Sequence, residues 1–594
     1  MSYKNFFTDI NLKKKDIPYL SLLFIATLIL VILASFNPNK VPQGYDLSIY
    51  LFNSIKLAHA NVNFSISSYS LFLSPTLCFL ASLFIRLGFD YFHSWILVIG
   101  IFEIIAAFSF YIFLKNRFNC LLSLTGAILL ITTTYTLKIL MLSLTDMASI
   151  ALSTLAFVFF IAAVNKNPKY YILSSIIFIL ALFTRYTSGL VLPLMIFYYF
   201  SKHDLFVNLD NLISDRQKFT SDLKNYLKSP EFKYIIISIV LALVSFYLIY
   251  KTLANIDAHL GLISQVTNSV SGFQSSTHDS YYSENSLFYI LRYPNGIFNK
   301  NSSLFGIRFI YVIFSLIFIG FLLKIYNLFK NREFVKEVYC NRYRFKTKFF
   351  DGFLLVFLFL LIGLIFLVKK DNVIFTMTFF LVASVICVSF LNRLNINDDN
   401  YSLTCLAICS FCIYFLFFSL INIKLHRYII TTYPAFIYLF ILALEEIFSV
   451  INYNFIPIKD KYLTNDGFKF EFDKNTKSKI ESIILILFFL ILVLNSVNAI
   501  NSYEYSQEYC EIVDMSNYLI KYDSDYISKD ITSSIKYYKY FELNLDKEIN
   551  FVKEKEIGNT TKFNSTYIIL KKNINIPDYY IVHQEGDFNL YRHY

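Results

Sequence analysis

The stretch Val41-Pro-Gln-Gly-Tyr-Asp-Leu-Ser-Ile-Tyr50 is a short polar interlude after the first long apolar run, and it sets a carboxylate, Asp46, just beyond that run. On either side the chain is too apolar for a soluble domain. Of 594 residues, 56% are hydrophobic and 16% charged, with a mean hydropathy of +0.52; this excludes the ordinary soluble globular class and defines a polytopic membrane protein. Apolar runs of roughly 20 residues recur, the helical length that crosses a hydrocarbon core of about 30 Å. An acid placed where such a helix emerges into a turn is a candidate for chemistry at the bilayer surface.

The formal net charge of +11 does not imply nucleic acid. Lys and Arg gather in the loops between apolar runs, where they set orientation, and the 19% of aromatic residues suits interfacial belts. Among the eight cysteines, Cys405, Cys409 and Cys412 share a helical face without His or carboxylate, so they read as buried packing and not as a metal site. Only Cys510 lies in the polar tail, which leaves no disulfide framework there. Lys13-Lys14-Lys15 before the run 18–35 resembles a signal peptide, but the run is long enough to span and no convincing small-residue cleavage site follows Ala34-Ser35. It reads as an uncleaved first helix with a cytoplasmic N-terminus.

The segment 70–87 decides the parity of the rest, because it is apolar enough to cross while Pro75 and the serines around it suit a helix lying in the interface. If it does not cross, the further spans are 94–114, 121–141, 147–164, 170–184, 187–200, 234–251, 306–325, 350–368, 372–391, 402–422, 428–450 and 481–500, about thirteen in all. The Lys/Arg-rich segments 115–117, 165–169, 202–233, 328–348 and 451–480 then fall inside, as the positive-inside bias requires, with Lys369-Lys370 as an exception. Residues 1–500 are thus expected to form a transmembrane domain. From 501 to 594 the composition turns soluble, with a polar helix at Ile512–Lys521, β-like runs at Tyr526–Ile531 and Tyr567–Leu570, and a hairpin of Tyr579–His583 and Phe588–Tyr591. The expected architecture is a polytopic α-helical membrane protein with a small extracytoplasmic α/β domain at its C-terminus.

The order of these features resembles the GT-C glycosyltransferase superfamily. A first helix, an external loop with Asp46, near-horizontal segments and a second external acid in Leu142-Ser-Leu-Thr-Asp-Met147 carry the resemblance. Leu182-Phe-Thr-Arg-Tyr-Thr-Ser-Gly-Leu190, followed by Pro193, and His426-Arg-Tyr-Ile-Ile-Thr-Thr-Tyr-Pro-Ala435 are similar to the branch of protein O-mannosyltransferases and lipid A aminoarabinose transferases, glycosyltransferase family 39 in type. The chain also departs from that branch. Leu47 stands where many members have a second acid, Ser74-Pro75 replaces a Glu-Lys-Pro element, and with Trp95 as the only tryptophan the Trp-Trp-Asp signature of oligosaccharyltransferases is absent.

The resemblance implies transfer of a sugar from a polyprenyl-phosphate lipid, dolichyl-phosphate in type, to a protein, lipid or glycan acceptor at the outer face of the cell membrane. Such chemistry needs a base, cations for the leaving phosphate and a greasy groove. Asp46 is the candidate base, although it also fits as a helix cap; Tyr50 and Asn53, at i+4 and i+7, would share its face. Asp146 is the second candidate catalytic acid, whose competing role is to cap the helix that it opens. Paired with phosphate oxygens the two acids would suit Mg²⁺ or Mn²⁺, and nothing in the sequence requires a metal. Arg185 at a membrane-depth turn needs a partner, and a lipid phosphate is one; snorkelling is the other reading. Lys424, His426 and Arg427 form an external basic cluster against the usual charge bias, an anion site or an interfacial anchor. The loop 252–305, with His278, Asp279 and Glu284, reads as a polar loop or an acceptor-side lid. The rival class is a transporter or flippase of lipid-linked glycans; it would place charges at mid-depth, whereas here they cluster at external span ends.

Overall fold

The computed structural model describes residues 7–37, 45–58, 74–202, 216–254, 309–330, 401–420, 426–454, 474–505, 507–522 and 576–594, most of 529–571, and short pieces between 288 and 383. Helices dominate. They are α1 (Ile17–Ser35), α2 (Tyr45–Ala58), α3 (Pro75–Arg86), α4 (Tyr91–Lys115), α5 (Cys120–Thr132), α6 (Thr134–Met141), α7 (Asp146–Asn165), α8 (Tyr170–Thr184), α9 (Val191–Lys202), α10 (Arg216–Leu227), α11 (Pro230–Ala254), α12 (Phe309–Lys330), α13 (Tyr401–Leu420), α14 (Tyr433–Asn454) and α15 (Lys474–Asn501). Among the described residues seven helices are long and apolar enough to cross a membrane, or eight if a bent pair counts as one span. The chain is a multi-pass membrane protein. The runs 170–184, 187–200 and 306–325 appear as shorter apolar helices; of 350–368 only 356–361, 363 and 364 are described, and of 372–391 only 379, 382 and 383.

The run 121–141, expected as one straight span, is instead broken by 54°. Thr133 supplies the break: its backbone is extended at ψ 150°, and its hydroxyl accepts the N–H of Thr136 at 3.3 Å, capping α6 as a new helix. The segment α3 has only twelve residues, too few to cross. It folds back on α2, where Arg86 Nη2 donates to the carbonyl of Leu57 at 2.6 Å. Its first turn touches α8, with Thr76 Oγ1 donating to Leu180 O at 3.1 Å.

Polar contacts mark one end of the bundle. Arg117, just past α4, donates to Thr404 Oγ1 at 2.8 Å and pairs with Glu445 at 3.3 Å, while Lys324 Nζ reaches Glu446 at 2.7 Å. The start of α13 and the ends of α4, α12 and α14 therefore share that level.

Beyond α15 the chain forms α16 (Gln507–Tyr522), α17 (Tyr538–Leu545) and the strands β3 (Ile531–Ser533), β4 (Asn550–Phe551), β5 (Tyr567–Leu570), β6 (Tyr579–Glu585) and β7 (Phe588–His593); two short strands, β1 (Ser303–Leu304) and β2 (Ile307–Arg308), pair with each other before α12. The five-stranded sheet has the order β4-β3-β5-β7-β6, parallel at β3 with both neighbours and antiparallel at β5–β7 and β6–β7. The helix expected at Ile512–Lys521 and the terminal hairpin are present. The expected strand at Tyr526–Ile531 is displaced: it begins at Ile531, and Tyr526 lies outside the described residues. Gly586, at φ +53°, turns β6 into β7. This domain sits at the end opposite Arg117, since Tyr91 at the start of α4 donates to Asn544 Oδ1 of α17 at 3.5 Å.

Candidate active site

At that same end two acids and two arginines meet. Asp46 is in the first turn of α2, and its Oδ2 accepts from Arg427 Nη2. Asp146 is in the first turn of α7, and its Oδ1 accepts from Arg185 Nη1. The cap reading of Asp146 is thereby overturned: Thr145 occupies the N-cap without a side-chain cap bond, and the Asp146 carboxylate turns to the guanidinium, a fully charged partner. Snorkelling of Arg185 is overturned for the same reason. Arg185 follows α8 in an extended conformation (φ −159°, ψ 125°), which ends the helix and swings the side chain towards α7.

The two ion pairs are joined by Tyr428, which neither composition nor charge had singled out. Its ring lies 5.2 Å from the Arg185 guanidinium and 6.0 Å from that of Arg427, within the range of cation–π attraction. Its place next to Arg427 in the turn His426–Thr432 is the signal that could have found it. A guanidinium held against both an acid and a ring is oriented as well as neutralised. Donors remain. Arg427 Nε and Asp146 Oδ2 are buried without a hydrogen-bond partner among the described residues.

The two acids differ in access. The Asp46 side chain is 30% exposed and that of Asp146 is 0%, so a molecule arriving from outside the bundle reaches Asp46 first. Burial pushes the Asp46 carboxyl up, but the charge and hydrogen bond of Arg427 and the charge of Arg185 outweigh it, and it lies below the ordinary 3.8. It is a carboxylate at neutral pH.

Tyr50, one turn after Asp46, points to the same place: its hydroxyl is 3.4 Å from Thr145 Oγ1. Asn53 lies two turns along the same face of α2. It is fully buried, within hydrogen-bonding reach of Cys78 on α3. Lys424, His278, Asp279 and Glu284 lie outside the described residues. His426 opens the 3-10 turn that ends at Thr432.

Below the ionic cluster an open groove with about 650 Å³ of free space runs between α7, α9, α13 and the start of α14. Ser149, Ser153 and Phe157 line it from α7, and Leu406, Ser410 and Tyr414 from α13. Ser149 is one turn from Asp146 and hydrogen-bonds Ser188 at 2.7 Å, three residues after Arg185, so the groove opens beside the arginines. No group of three His, Cys, Asp or Glu comes together among the described residues. Each aspartate of the pair faces a guanidinium.

Fold and site together define a multi-pass membrane protein with two acid–arginine pairs at one end of its helical bundle. Residues 74–210, which include Asp146 and Arg185, match the family model described as dolichyl-phosphate-mannose-protein mannosyltransferase. Among solved structures the chain is similar to ArnT from Cupriavidus metallidurans bound to undecaprenyl phosphate, with 10% identity, coverage of 96% of this chain and 97% of that one, and a TM-score of 0.53. The oligosaccharyltransferase of Archaeoglobus fulgidus in the apo form is a weaker match, with 11% identity, coverage of 94% and 70%, and a TM-score of 0.43. No curated protein matches the sequence.

Proposed function

We propose that this chain transfers a sugar from a polyprenyl-phosphate-linked donor to an acceptor hydroxyl at the outer membrane face. The observation that carries the reading is the juxtaposition of two arginines, one with a spare buried donor, with a largely apolar open groove. A prenyl chain lies in the groove, and its phosphate sits between Arg185 and Arg427, where Arg427 Nε–H is the unused donor. The likeness to a protein crystallised with undecaprenyl phosphate supports this lipid class.

The chemistry then follows from access. The acceptor oxygen forms a bond to the anomeric carbon as the bond from that carbon to the phosphate oxygen breaks. The lipid phosphate leaves with the bonding electrons, and the two guanidiniums stabilise the charge that develops on it. Asp46, the more accessible of the two carboxylates, takes the acceptor proton. Asp146, buried and paired, holds Arg185 in position. No step is routed through a metal.

The test is transfer by the purified full-length protein from radiolabelled polyprenyl-phosphate sugars, compared with Asp46→Asn. General base catalysis supplies about 10² to 10⁴ in rate, so the variant should lose that factor while donor binding persists. Unchanged transfer would remove Asp46 as base, and a wild type that binds no polyprenyl phosphate would remove the whole reading.

A further inference from the structure

Accepting that reading, we propose that Trp95 is the positioning residue that ties the two aspartates into one site. The argument starts at the turn before α7. The α6 helix ends with Ser143 N–H bonded to Leu140 O at 3.1 Å and Leu144 N–H to Ile139 O at 3.0 Å, the paired bonds of a Schellman motif. The residue in the left-handed position is Ser143, at φ +53°. A side chain other than glycine there stores about 1 kcal/mol or more of strain, so the surroundings must hold it. What holds it is the indole of Trp95, whose Nε1–H donates to Ser143 O at 2.8 Å. Asp146 follows three residues later, and its direction is set by that turn.

The other face of the same ring carries the other acid. Tyr50 stacks on Trp95 with centroids 5.1 Å apart and planes 16° from parallel, and Tyr50 lies one helical turn from Asp46 in α2. The Tyr50 hydroxyl closes the circuit to Thr145, the residue before Asp146. Trp95 and Tyr50 are both buried, at 0% and 5%, so ring and hydroxyl are shielded from competing water. The helix α2 is flanked by residues 38–44 and 59–73, which lie outside the described residues. The stacking of Tyr50 on Trp95 ties α2 to α4, beside the Tyr50–Thr145 contact with the start of α7, the Arg427–Asp46 pair and the packing of α3 on α2. Trp95 touches neither acid; it acts through Tyr50 and through the Ser143 turn.

The variant Trp95→Phe keeps a ring for Tyr50 and deletes the N–H. In the full-length protein in lipid nanodiscs, hydrogen exchange followed by mass spectrometry should rise in 142–149 and 45–58 and stay at the wild-type level in 507–594. At saturating donor and acceptor, turnover should fall about tenfold, since a displacement of 1 Å can cost up to about 10² in rate. The donor KM should change less than turnover, because the backbones of Arg185 and Arg427 belong to the end of α8 and the turn His426–Thr432, although their ion-pair partners shift. Unchanged exchange in 142–149, exchange rising across the whole chain, or turnover per folded molecule equal to wild type would each overturn the proposal. A wild type that transfers no sugar would sink the functional reading while the exchange pattern still decides the strut.

Discussion

At the scale of the residue, Asp46 is under two opposed pressures. Burial favours its neutral acid, while Arg427 and Arg185 favour the carboxylate and prevail. The acid limb of kcat/KM, which reports the free enzyme, should therefore lie below 3.8 for the wild type. In Arg427→Gln the nearer cation and its hydrogen bond are lost while burial and Arg185 remain. The limb must then move to higher pH, and a profile in which it stays or falls would show that Arg427 does not govern Asp46. Donor phosphate, by engaging Arg427, would act in the same direction and make Asp46 the stronger base when the acceptor arrives. Both acids and both arginines are legible in the sequence, because a charge at the end of an apolar run needs a reason. Their pairing is not, since Asp46 and Arg427 are separated by 381 positions. Tyr428 and Trp95 carry no charge, and an aromatic residue in a chain with 19% of them gives no signal.

At the scale of the element, periodicity locates apolar runs but not how they break or how closely they pack. The sequence 121–141 reads as one hydrophobic span, yet Thr133 and Thr136 bond to each other at 2.7 Å and divide it. A threonine is compatible with a helix interior and with a cap, and only the tertiary context chooses. Close packing is equally hidden until a small residue is seen against a backbone. Gly320 of α12 is such a case: a Cβ there would lie 2.6 Å from Ala443 Cα and 2.6 Å from Ala443 O of α14. In a bilayer, where lipid is as apolar as the side chains, such small-residue contacts carry helix association. Gly320→Val should therefore separate α12 from α14, lowering the yield of monodisperse protein and its temperature of half-aggregation by several degrees; Gly363→Val, at a position where a Cβ meets nothing within 4 Å, is the matched control and should leave both near wild type.

At the scale of the whole molecule, the two ends of the bundle have different chemistry, and that difference gives a direction to the reaction. Arg117, Glu445, Lys324 and Glu446 lock one end into ion pairs. The other end carries Asp46, Asp146, Arg185 and Arg427, with the C-terminal domain beside them. From the distribution of lysine and arginine we propose that the first end is cytoplasmic, with the site and the C-terminal domain outside. Two exposed positions separate the cases. Ser502 follows α15 at the site's end, and Lys166 follows α7 at the opposite one. A membrane-impermeant maleimide applied to intact cells should modify Ser502→Cys and spare Lys166→Cys, which should react only after permeabilisation. The reverse pattern would place the site on the cytoplasmic face, where an acceptor exported as a finished polymer could not reach Asp46. Labelling at both positions before permeabilisation would mean that the bundle is not inserted with a single orientation. The same arrangement explains why the aspartates can sit at the bilayer's edge without being drowned by solvent: α2 and α3 lie across that end, and α17 of the C-terminal domain rests against it through Asn544 and Tyr91.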